Sequence, residues 1–120
     1  MNIKNNQLTL STEKFNDFEF EELINISLSD IQYIYLSSNP YLTLKQIEYL
    51  FHKNIDRVNI NLLRNKNCPK DKISEFLFLN DKIYNIAIAH NINIDKEVIQ
   101  KLIDLNDYDV KISLKFNKLL

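Results

Sequence analysis

The sequence predicts an all-α fold, a short α-solenoid of about four 26-residue helix-pair repeats behind a degenerate N-terminal capping unit. Three observations predict it. A shift of 26 residues brings Asn39, Asn65, Asn91 and Asn117 into one column. The same shift aligns apolar residues upstream (Ile34, Ile60, Ile86, Ile112; Leu36, Leu62, Ile88, Leu114) and downstream (Ile47, Ile73, Ile99; Leu50, Phe76, Leu102; Phe51, Leu77, Ile103). The downstream columns also fall at i, i+3, i+4, the spacing of one buried helix face.

In chain order, residues 1–30 read as the capping unit. Leu8 and Leu10 stand 26 before Ile34 and Leu36, while Phe20, Leu23 and Ile24 stand 27 before Ile47, Leu50 and Phe51. Repeats follow at 31–56, 57–82 and 83–108, with a partial repeat at 109–120, all within a single domain, 1–120. Each repeat opens with a short helix behind an acidic N-cap candidate, Asp30, Asp56, Asp81 or Asp107. A break follows at Asn39-Pro40, Asn65-Lys66 and Asn91-Ile92. The second helix opens at Thr43, Pro69 or Asp95, where Thr43 and Gln46 form a capping box and proline suits a first turn. One such pair cannot bury its own apolar stripe, so neighbouring pairs must stack and share a core. Ile60 is expected in that core and Asn59 outside it.

Composition excludes several chemistries. The chain has 120 residues, no glycine, one cysteine, two prolines and a formal net charge of -1. Phosphate-cradling loops, dinucleotide turns and nucleophile elbows all need a residue tolerant of positive φ or of close backbone approach, and none can be present in its usual glycine form. The near-zero charge disfavours a dedicated polyanion binder. No apolar run reaches membrane-spanning length, and no leader is expected from Met1-Asn2-Ile3-Lys4. The lone Cys68 fits a reducing compartment, so a cytoplasmic location is expected. The 17 asparagines, with 13 lysines against 2 arginines, read as the imprint of an AT-rich coding sequence and receive no collective role.

Few residues suggest chemistry. Cys68 shares its column with Leu42 and Ile94 and reads as an apolar filler rather than a nucleophile. His52 and His90 have no partners at ligand spacing, so neither a metal nor a cofactor is expected. Two features suggest a contact surface. Asp17, Glu19, Glu21 and Glu22 form the densest charge cluster, and residues 1–30 carry six acids against two lysines. Phe78 and Leu79 continue past the apolar pair Phe76-Leu77, and four consecutive apolar residues on a helix cannot all face one core; with Tyr49 they are candidate anchors.

Leu36-Ser37-Ser38-Asn39-Pro40, then Leu50-Phe51, then Asp56-Arg57-Val58, resemble the leucine-rich repeat variant family, with Asn65 and Pro69, and Asn91, Asp95, Val98 and Leu102, keeping parts of the motif. The resemblance covers about 31–117, and proline survives in it only as Pro40 and Pro69. It implies α-helices alternating with short 3₁₀-like helices, similar to HEAT repeats, and a role in binding macromolecules. One cysteine cannot supply the iron-sulfur cluster of some members. Together these features point to a non-enzymatic protein-binding module, an immunity or inhibitor type that masks one partner such as a basic toxin or nuclease. The alternative is nucleic-acid binding through the middle repeat, where Arg57, Arg64, Lys66, Lys70, Lys72 and Lys82 face only Asp71, Glu75 and Asp81.

Overall fold

The computed structural model describes residues 5–120, and the Met1–Lys4 stretch considered for a leader lies outside them. Every regular element among the described residues is an α-helix: α1 (Gln7–Thr12), α2 (Asp17–Ile24), α3 (Asp30–Ser37), α4 (Leu44–Phe51), α5 (Asp56–Arg64), α6 (Lys70–Phe78), α7 (Lys82–Ala89), α8 (Lys96–Asp104) and α9 (Tyr108–Phe116). The odd-numbered helices from α3 onward start at residues 30, 56, 82 and 108, and α4, α6 and α8 start at 44, 70 and 96. Both series step by 26. Among the described residues no helix is long and apolar enough to cross a membrane.

Local side chains set these starts. Asn16, Ser29 and Thr43 each accept from the backbone N–H three residues on, while Glu19, Gln32 and Gln46 reach back to the cap, closing capping boxes on α2, α3 and α4. Asp81, Asp95 and Asp107 cap α7, α8 and α9. Asp30 and Asp56 differ from expectation, since each is the first helical residue rather than the cap. For α3 the reciprocal Ser29–Gln32 box holds the cap position, and an acid one residue inside still faces the positive end of the helix dipole. Pro69 takes the N-cap place itself, with no side-chain bond to offer. The short 3₁₀-like helices that the family resemblance implies do not occur among the described residues. α3, α5, α7 and α9 are α-helices of eight or nine residues, long enough to establish the i→i−4 ladder.

A chain without glycine still needs left-handed residues to end its helices. Asn54, Asn80 and Asn106, at φ of 55°, 53° and 54°, follow α4, α6 and α8, and Ser27 (55°) and Lys118 (59°) serve α2 and α9. Asparagine is the non-glycine residue best suited to this region, because its short polar side chain bonds locally. After α9, the Leu119 N–H donates to the Leu114 carbonyl at 2.8 Å, the long bond of a Schellman-type end.

The asparagine column has a structural role that composition concealed. Asn39 is buried and donates through Nδ2 to the carbonyls of Leu10 (3.0 Å) and Glu13 (2.6 Å), while its Oδ1 accepts from the Tyr41 N–H (2.8 Å). Asn91, fully buried, donates to Leu63 (2.9 Å) and Asn65 (2.8 Å) and accepts from the Asn93 N–H (2.8 Å). Asn117 donates to the Ala89 carbonyl at 2.8 Å. Each amide closes its own turn or supports carbonyls 26 to 29 residues earlier, where helix ends leave acceptors unpaired.

The chain divides into two units, one running to Leu62 and the other from Leu63 to Leu120. In the first, α1 packs on α3 and α3 on α4. In the second, α7 packs against α6, α8 and α9, and α8 also meets α9. Leu36, Leu62, Ile88 and Leu114 are all fully buried, so this column is the innermost of the odd-numbered helices. The expectation for Ile60 and Asn59 is reversed: Asn59 is buried (3% exposed) and Ile60 only half-buried. Positions two apart on a helix point about 200° from each other, so Ile60 cannot share the face of Leu62. Asn59 and Asn85, one repeat apart, each bury an Oδ1 with no hydrogen-bond partner.

Candidate partner-binding site

α2 and α4 frame a groove of about 240 Å³ in the first unit, lined by Asp17, Phe20, Glu21, Ile24, Lys45, Gln46 and Tyr49. The Asn16 capping box starts α2 so that Asp17 and Glu21 stand four residues apart on one rim. Both are exposed, and among the described residues neither carboxylate enters an ion pair or a side-chain hydrogen bond. Phe20, buried, and Tyr49, half-buried, meet edge to face with ring centroids 5.9 Å apart and form the floor. Gln46 is fixed beneath: its Nε2 donates to the Phe15 carbonyl at 2.9 Å and its Oε1 accepts from the Thr43 N–H at 3.0 Å. The Lys53 ammonium lies 5.1 Å from the Tyr49 ring centroid and 4.8 Å from that of Tyr33. Its pKa is raised, first by Tyr49 and then by Tyr33.

Three residues singled out from the sequence, Asp17, Glu21 and Tyr49, therefore meet in one place. Within the same unit, Glu19 and Glu22 do not join them. Glu19 is engaged in the helix start, its Oε1 accepting from the Asn16 N–H at 3.0 Å. Glu22 is half-buried, with an Oε2 that is enclosed and without a hydrogen-bond partner. Phe78 and Leu79 lie in the other unit at the end of α6, 89% and 59% exposed, while Phe76 and Leu77 are half-buried. Sequence reasoning missed Phe20, Ile24, Lys45 and Gln46 as groove residues. The i, i+4 relation between Asp17 and Glu21 was visible, but their pairing with α4 is a tertiary fact.

The other candidate groups behave as scaffold. Cys68 is buried, and burial first, then the Asp71 charge, push its thiol up to about 12, where almost no thiolate forms at neutral pH. His90 is held below the usual histidine range, chiefly by burial and then by Arg64, and its Nδ1 lies 3.4 Å from Asn117 Nδ2. Among the described residues no group of three His, Cys, Asp or Glu side chains could hold a metal ion. Two of the six cations read as a basic middle repeat are compensated. Lys72 pairs with Glu75 at 3.2 Å, and Lys82 lies 2.8 Å from Asp109 and 3.5 Å from Asp107.

No family model, curated protein or solved structure matches the chain.

Proposed function

We propose that this chain is a non-enzymatic protein-binding module, a short HEAT-like solenoid of the leucine-rich repeat variant kind that masks one basic protein partner, as immunity and inhibitor proteins do. The exposure of Phe78 and Leu79 carries this reading. An aromatic ring 89% in solvent beside an exposed leucine has no role in the core, whereas rings of this kind anchor protein interfaces. The 26-residue steps of the helix starts and left-handed residues support the repeat. The acidic α2 supports a basic partner: residues 15–44 hold five acids and neither lysine nor arginine. Compensation of Lys72 and Lys82 weakens the nucleic-acid alternative. With the partner in hand, Phe78→Ala is expected to speed dissociation, and reversal of Asp17 and Glu21 to Lys to slow association, in surface-binding kinetics. Unchanged rates in both folded variants would reject both assigned contact patches.

A further inference from the structure

We propose that the α2/α4 groove receives an arginine side chain of the basic partner. The proposal rests on the protein-binding reading and names its recognition element. Asp17 and Glu21, one helical turn apart, offer two exposed carboxylates on one rim, and either can accept the paired N–H groups of a planar guanidinium. The floor beside them is aromatic, Phe20 against Tyr49 at 5.9 Å. Lys53 already holds its ammonium 5.1 Å from the Tyr49 centroid, so an incoming guanidinium would meet the part of Tyr49 that lines the groove. Lys45 lines the groove from α4, and its charge opposes the entry of another cation. Arginine fits better than lysine because only a guanidinium stacks on a ring while donating in its own plane to carboxylates.

The test titrates the ¹⁵N-labelled full chain with an arginine-rich nonapeptide and a length-matched lysine peptide at about 150 mM salt, where distant charges are screened. Amide shifts confined to α2 and α4 and an arginine affinity about fivefold or more above that for lysine are expected. Asp17→Asn with Glu21→Gln should weaken arginine-peptide binding about tenfold. Tyr49→Leu should abolish the preference for arginine and Tyr49→Phe should keep it, a contrast that loss of folding would not produce. Lys45→Gln should tighten binding. Equal affinity for both peptides, with shifts spread over Glu13 and Asp30 and indifferent to Tyr49→Leu, would overturn the proposal as simple polyelectrolyte attraction. If the groove stays silent while a captured partner still depends on Phe78, the arginine site fails and the protein-binding reading stands.

Discussion

The Asn91 side-chain amide donates to the Asn65 backbone carbonyl at 2.8 Å, so one member of the asparagine column supports the turn built by another, 26 residues earlier. Asn91→Leu keeps the size of the side chain but strips two buried carbonyls of their donor and releases the Asn93 N–H. The expected cost is about 2–4 kcal/mol in urea unfolding, because each buried polar group left unpaired costs about 1–3 kcal/mol. Asn93→Leu, at an exposed position with a single side-chain bond to Lys66, should cost less than about 1 kcal/mol. Equal losses would mean that the column carries no special weight.

Asn106 follows α8 at φ 54°. Asn106→Gly should leave stability unchanged or raise it slightly, and Asn106→Ile should lower it by about 1–2 kcal/mol, since a β-branched residue is poorly tolerated there. Thermal unfolding of the two variants checks the sign of each change.

Asn85 buries an Oδ1 without a partner. Replacing it with leucine, nearly equal in shape, removes an unsatisfied acceptor and adds apolar contact, so Asn85→Leu should stabilise by about 1 kcal/mol. A loss of stability would contradict this reading of Asn85.

His90 favours its neutral form in the folded chain, because burial and Arg64 lower its pKa. The unfolded chain therefore binds more protons below about pH 6.5. Stability from this group is complete above that pH and declines as the pH falls through the lowered folded value. Urea midpoints at pH 7 and about pH 5.5 should fall for the wild type and fall less for His90→Gln.

Helical class and the 26-residue step were legible because apolar columns and caps repeat in the sequence, and Thr43–Gln46 formed the box that its spacing indicated. The rest was hidden for separate physical reasons. The absence of glycine concealed that Asn54, Asn80 and Asn106 adopt left-handed backbone, and a compositional view of asparagine concealed the bonds of Asn39, Asn91 and Asn117. Ile60 was misplaced because a column of like residues says that a position recurs, not which way it faces. At the site, Phe78 and Leu79 were visible as an apolar excess. The groove needed α4 brought against α2, which no spacing within one helix reveals.

The most direct measurement is affinity capture from an extract of the source organism, with the wild-type chain and Phe78→Asp run side by side. Phe78 is 89% exposed, so the variant should fold with an unchanged circular dichroism spectrum. The account predicts one basic protein retained by the wild type at about 150 mM salt and absent from the variant. Retention of the same proteins by both chains, or of nucleic acid released by raising the salt, would contradict it.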